Sequence, residues 1–432
     1  MSAAPVRKID LGLSDSPLDR LAFQIQLWLL SPGRHDAVRL RGYLRVKAWR
    51  ECNSLRDRLH LLKVAAKLPL RALRESLAAV RKYGEPVEQE HGKPRARQLA
   101  ELWYIWVRHG VHPDSYYRYR LFRPGSLSRA AAFFEEDEMI ALHALVNAYT
   151  ARDAQALLAN KAKFEEWLRA KGIPTLKTLM EFSHGAVVNS ALPEGVLPRR
   201  DLFSKPCRWA YGFGATRWEF DGQGWVGPDG RCRSEQELLR ELTEEAGERG
   251  LLLQERMRNH QALAAITPAA LSTVRIITVR GVDGAVQIVL AVAKIPTGSA
   301  ATDHMRLGGL AAPVDLATGR LGRAVRKDER TVVAFSDRHP DTGVQIEGFQ
   351  LPYWEEAKRL AVRTHEALQG ITTVGWDVAI VDGGPIILEG NNPGPTSAQM
   401  PSGQPLGETV MARAIHGHLR RALSRAQNAR PA

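Results

Sequence analysis

Three observations predict an α+β protein whose first third is mostly helical. Apolar residues recur at a helical period through residues 55–83. From residue 154 onward, short Val- and Ile-rich runs alternate with helical stretches. The most regular pair of runs is joined by a tight Asp382-Gly383-Gly384 turn, which predicts antiparallel hairpins rather than a doubly wound parallel sheet. A chain of 432 residues is too long for one core and predicts two or three domains.

Composition narrows the class. Hydrophobic residues make up 44% and charged residues 25%, values of a globular chain rather than a disordered one. Cys52, Cys207 and Cys232 have no metal-ligand spacing, and an odd, sparse count fits a reducing compartment. Residues 1–10 lack the apolar region of a signal peptide, and residues 21–30 are too short and too polar to span a bilayer. The expectation is a cytoplasmic protein, with the inner membrane face open to it as a peripheral site. The net charge of +13 is concentrated. Residues 1–130 hold 25 Lys and Arg against 12 Asp and Glu, and the remainder holds 35 of each. Such an excess suits an anionic surface or simply a solvated basic helix face.

In the first third, Leu55, Leu59, Leu62, Ala66, Leu70, Leu73, Leu77 and Val80 predict a helix with one apolar stripe, kinked at Pro69 and ended by Gly84-Glu85-Pro86. Further helices are predicted over 98–109 and 130–150. The strip from Tyr116 to Arg123 mixes rings and arginines, a pattern of base stacking or of a helix packing its rings inward, the second being preferred and nucleic acid disfavoured. Next come a helix over 154–171 closed by Gly172, strands at 202–205 and 217–220, a helix over 235–249, and strands at 251–255, 274–279 and 286–293. A helix over 354–368, strands at 373–381 and 386–389 and a basic helix over 409–426 complete the chain.

The chemistry concentrates in the last hairpin. Asp377 lies near the start of its first strand, and Glu389 and Asn391 lie at the end of its second. Antiparallel pairing brings these ends together, and residues two apart share a face. Three hard oxygen ligands therefore converge, a set suited to Mg²⁺. The alternative is a hairpin end whose acidic groups cap backbone amides. Upstream, Arg275 stands alone in an apolar strand. An unpaired buried charge is costly, so it should face an anion or a core carboxylate.

Asp377, Glu389 and Asn391 match the metal-binding residues of ATP-grasp proteins. The stretches His339-Pro340-Asp341-Thr342-Gly343, Gly348 to Trp354, Val374-Gly375-Trp376-Asp377 and Glu389-Gly390-Asn391-Asn392-Pro393-Gly394 resemble the sugar-transfer-associated ATP-grasp family over about residues 155–410. The residues themselves predict a helical, basic domain over 1–150, a departure from the α/β domain with which many ATP-grasp proteins begin; the resemblance implies a lid subdomain over 151–256 and a C-terminal subdomain over 257–432 carrying the metal site and closing helix. It implies ATP with Mg²⁺ or Mn²⁺ as cofactors. Lys161, placed within the helix over 154–171, resembles the lysine that reaches the nucleotide phosphates. Lys205, in Lys205-Pro206, resembles the lysine before the phosphate-covering loop, here residues 208–216 with Gly212 and Gly214. Glu255 becomes the candidate at the adenine and ribose hinge, with His260 near enough to contribute. Arg275 resembles the arginine that stabilises the transferring phosphoryl group. Lys294 stands where related enzymes often carry another arginine, and Arg306 lies in a loop like the one lining the acceptor side.

The activity so implied is ligation of a carboxylate to an amine or hydroxyl through an acyl phosphate, on a sugar acid, amino acid or cell-surface glycan precursor. The same fold also supports a kinase with a stable phosphorylated product, or a nucleotide-gated binding module. The basic N-terminal region leaves an anionic membrane surface or glycan machinery open as its partner.

Overall fold

The computed structural model describes residues 36–50, 52–147, 152–192, 196–207, 214–267, 270–298, 302, 303, 305, 308–392 and 396–428. The chain divides into two units, residues 1–142 with 405–408, and residues 143–404 with 409–432.

The described part of the first unit is helical: α1 (Asp36–Arg50), α2 (Leu55–His91), α3 (Arg95–His109), α4 (Pro113–Arg118), a 3-10 turn (Leu127–Ala132) and the start of α5 (Glu136–Asn147). A reciprocal cap starts α2: the Ser54 side chain accepts from the Asp57 backbone N–H and the Asp57 carboxylate accepts from that of Ser54. Helix α2 is not split at Pro69 and, contrary to the end expected at Gly84-Glu85-Pro86, runs for 37 residues and stops only at Gly92, in the left-handed region at φ 63°. Contacts with α3 outweigh the lost backbone bonds. Trp103 Nε1 donates to the Pro69 carbonyl at 3.0 Å and Gln98 Nε2 to that of Gly84, also at 3.0 Å.

The buried face of α2 also differs from the predicted one. Leu61, Leu68, Ala72, Ser76, Ala79, Tyr83 and Val87 face inward, and Leu68 and Ala72 pack on Trp106 of α3. Leu55, Leu59, Leu62, Leu70 and Leu73, counted as the apolar stripe, are exposed. Small residues at 72, 76 and 79 let α3 approach closely, which a count of leucines misses.

The rings of the Tyr116 to Arg123 strip do point inward. Tyr116 and Tyr117 are fully buried, donating to Glu101 at 2.7 Å and Gln98 at 2.9 Å. The helix expected over 130–150 is divided, and residues 148–150 lie outside the described set. Buried Arg41 donates to the carbonyls of Ala131 and Phe133 and pairs with Glu138 at 2.6 Å, capturing acceptors that a continuous helix would use.

The second unit opens with α6 (Arg152–Ala159) and α7 (Lys161–Ala170). The single helix expected there breaks at Asn160, whose side chain accepts from the Lys163 N–H at 3.1 Å. Lys161 is thus the first residue of a new helix rather than internal to a longer one.

Two seven-stranded antiparallel sheets follow. The first has the order β2-β1-β7-β3-β4-β5-β6, from β1 (Thr178–Ser183), β2 (Ala186–Ser190), β3 (Leu202–Pro206), β4 (Thr216–Phe220), β5 (Trp225–Val226), β6 (Cys232–Arg233) and β7 (Leu251–Glu255). Helix α8 (Glu235–Ala246) covers one face through Leu238 and Leu242 against Phe182, Leu202, Trp218 and Leu253.

The second sheet has the order β12-β11-β10-β9-β8-β13-β14, from β8 (Thr273–Arg280), β9 (Val286–Ile295), β10 (Leu310–Val314), β11 (Ala324–Asp328), β12 (Val332–Ser336), β13 (Thr373–Val381) and β14 (Gly384–Asn391). Short α9 (Gln261–Ala264) precedes β8, and α10 (Trp354–Ala367) packs Trp354, Ala357, Leu360 and Ala361 on its core face. Near the end lie α11 (Gln399–Ser402) and α12 (Val410–Asn428). Strands β1, β2, β5, β6, β10, β11 and β12 were not anticipated. β2 is exposed along its whole length, β11 carries Arg326 and Lys327 outward, and β10 contains Pro313, so none shows a clean apolar alternation.

Candidate functional site

Register builds the site. β13 pairs Asp377 with Arg275 of β8 on one side and with Glu389 of β14 on the other. Gly375 pairs with Asn391, and Thr273 with Lys294. Directly paired residues share a face, so Thr273, Arg275, Lys294, Asp377, Glu389 and Asn391 line one side of the sheet. The alternating residues Val274, Ile276, Ala293, Trp376 and Val378 belong to the core. Gly375 makes room for the arginine: a Cβ there would lie 2.9 Å from Arg275 Cδ.

Asp377 is the hub. Arg275 donates to it as a fork, Nε to Oδ1 at 2.5 Å and a terminal nitrogen to Oδ2 at 2.8 Å. Lys294 Nζ lies 2.8 Å from Oδ1. Asn391 Nδ2 bridges the two acids, 3.3 Å from Asp377 Oδ2 and 3.2 Å from Glu389 Oε1. Burial opposes ionisation of Asp377, but Arg275 and Lys294 override it and hold the carboxyl far below the usual carboxylate range. Of the two readings of Arg275, the structure shows the core carboxylate, and that partner is the candidate metal ligand Asp377.

Asp303, which sequence reasoning did not single out, accepts from the Thr273 N–H at 2.8 Å and from the Thr273 hydroxyl at 2.5 Å. Burial, with the charge of Asp377 adding to it, pushes its carboxyl up, against the pull of Lys294.

On the first sheet, Lys205 pairs with Leu252 and Phe203 with Gln254, so Lys205 and Gln254 share the face opposite α8. Desolvation, then the charge of Lys161, lowers the Lys205 ammonium to about 8, against the pull of Glu389 and Glu165. Lys161, Lys205 and Glu389 are thus electrostatic neighbours. Glu165 and Gln254 also escaped the sequence reading. Buried Glu165 accepts from the Thr178 hydroxyl at 2.6 Å and from Gln254 Nε2 at 2.9 Å. Gln254 Oε1 is buried without a hydrogen-bond partner among the described residues. A polar residue inside the apolar run of β7 was the available signal for Gln254; Glu165 left none.

Glu255 ends β7 and pairs with Arg200 at 3.0 Å. His260 is half-buried and caps α9 by accepting from the Ala262 N–H at 3.1 Å, a structural duty. Gly214 adopts φ 73° just before β4. Gly212, most of the loop expected over 208–216, and Arg306 lie outside the described residues.

Among the described residues no group of three or more His, Cys, Asp or Glu is set to hold a metal. The candidate trio is two carboxylates and an amide, hard oxygen donors that suit Mg²⁺ or Mn²⁺ completed by phosphate and water.

No curated protein matches the sequence. Among solved structures, the D-alanine–D-alanine ligase of Coxiella burnetii is 12% identical, with 68% of this chain and 70% of that one covered and a TM-score of 0.37. The D-alanine–D-alanine ligase of Bacillus anthracis complexed with ATP is 14% identical, covering 64% and 69%, at 0.35. The VanG D-Ala:D-Ser ligase of Enterococcus faecalis is 15% identical, covering 62% and 64%, at 0.36. These likenesses are too distant to assign an activity. The model of the sugar-transfer associated ATP-grasp family, by contrast, matches residues 142–414, most of the chain, and the chain belongs to that family.

Proposed function

We propose that the chain binds Mg-ATP between the two sheets of its second unit and phosphorylates a carboxylate, which an amine or hydroxyl then captures. The observation that carries this reading is the register that sets Asp377, Glu389 and Asn391 on one face with Arg275 and Lys294 already on the acid. Asp377, Glu389 and Asn391 would hold Mg²⁺ or Mn²⁺. The ion would supply charge neutralisation at the β- and γ-phosphates. Lys205, on the other sheet, and Lys161, at the start of α7, offer cationic charge to the phosphates. The buried acceptor Gln254 Oε1 suits the exocyclic amino group of adenine.

With the ion held by Asp377, Arg275 and Lys294 would be released to face the γ-phosphoryl oxygens. The acceptor carboxylate oxygen then attacks phosphorus, the bond to the bridging oxygen of ADP breaks, and an acyl phosphate forms. Attack by the amine or hydroxyl on the acyl carbon expels phosphate. The family's association with sugar transfer supports a sugar acid, amino acid or glycan precursor as the acid.

Hydroxylamine trapping tests this. The chain is incubated with Mg-ATP, hydroxylamine and a mixture of sugar acids and amino acids. A hydroxamate formed with ADP, and absent with Asp377→Ala, is expected, and its mass identifies the acid. ADP with a stable phosphorylated product and no hydroxamate would make the protein a kinase. ATP binding dependent on Asp377 without turnover would make it a binding module.

A further inference from the structure

The leucines that failed to enter the core form a feature of their own. Leu55, Leu59, Leu62, Leu70 and Leu73 follow one another three, four or eight residues apart, with Ala66 exposed between them and half-buried Leu77 beyond. Spacings of three, four and eight residues keep one side of a helix facing one way. The stripe from residue 55 to residue 77 runs roughly 33 Å along α2 at about 1.5 Å per residue. Leu55 and Leu70 are each 73% exposed.

Neighbouring helices extend the patch. Exposed Trp49 of α1 lies under the Arg58 guanidinium at 5.3 Å, and exposed Trp103 of α3 is tied to the Pro69 carbonyl. Lys63, Lys67 and Arg74 stand beside the stripe, exposed and without a carboxylate partner among the described residues. A leucine row edged by unpaired cations and flanked by indole rings is the composition of a helix lying in a membrane interface. Charge complementarity selects an anionic surface, since the whole excess of +13 lies in residues 1–130. Among the described residues no helix is long and apolar enough to cross a bilayer, so contact would be peripheral.

We propose that this face of α2 docks the protein on an anionic lipid bilayer, independently of the nucleotide chemistry. The test is sedimentation of the full chain with phosphatidylglycerol-containing vesicles against pure phosphatidylcholine vesicles. Binding to the anionic vesicles alone is expected. Lys63→Gln with Lys67→Gln and Arg74→Gln should weaken it about fivefold per cation removed. Leu59→Ser with Leu62→Ser and Leu70→Ser should weaken it on the order of tenfold or more per leucine. Circular dichroism checks that the helices persist. Leu55→Ser with Leu70→Ser, at the two most exposed positions, keeps the test alive if the triple variant fails to fold. No retention on anionic vesicles, or retention untouched by the leucine variants, would overturn the proposal. So would loss of self-association in those variants without loss of vesicle binding, which would make the stripe an interface between copies of the chain.

Discussion

The two sheets of the second unit face opposite electrostatic problems. On the second sheet the charges of the candidate site already face one another: Asp377 carries both Arg275 and Lys294. On the first sheet Lys205 is desolvated beside another lysine, and its ammonium is pushed down to about 8. The difference teaches what each sheet awaits. On the second, under the proposed function, a metal would take the place of a cation that Asp377 already holds. The first sets Lys205 beside Lys161, and under the proposed function a triphosphate would answer their joint charge.

Breaking the paired site should have the largest effect. Asp377→Ala leaves two largely buried cations without their carboxylate and should cost about 3–5 kcal/mol of folding stability, read by chemical denaturation, along with all ATP turnover. Adding Arg275→Met should recover part of that stability but none of the turnover. Lys205→Met should act in the other direction on the free protein. It removes a desolvated charge beside Lys161, so stability should hold or rise, while ATP binding measured by calorimetry should weaken roughly tenfold to a hundredfold.

The pH dependence follows from the same lysine. Its free-state value is depressed, so above about 8 the unliganded protein has lost the ammonium and must regain a proton to hold phosphate. Mg-ATP affinity should therefore fall as pH rises beyond about 8, approaching tenfold per pH unit, and the fall should flatten in Lys205→Met. The smallest effect is expected from Gly375→Ala. Its new Cβ meets only the flexible Arg275 side chain, so turnover should drop several-fold with ATP affinity nearly unchanged.

The hairpin was legible because its signal is local. Turn residues and strand period fix which residues meet, and Asp377, Glu389 and Asn391 do meet. Arg275 was legible because a charge in an apolar strand demands a partner. Helix α2 misled for the opposite reason. Its buried face is set by which neighbour can approach, so Ala72, Ser76 and Ala79 go inward while five leucines stay outside. Glu165 is paired only through the fold, with Thr178 and Gln254, and no local pattern marks it.

The proposed function rests most heavily on Lys205 of the first sheet and Lys161 of α7 meeting the phosphates of Mg-ATP. Proton uptake on binding tests it most directly, measured by titration calorimetry at pH 8 in buffers of different ionisation enthalpy. Uptake of about half a proton by the unmodified chain and none by Lys205→Met is expected. Tight binding of Mg-ATP with no proton uptake, or equal uptake by both proteins, would contradict it.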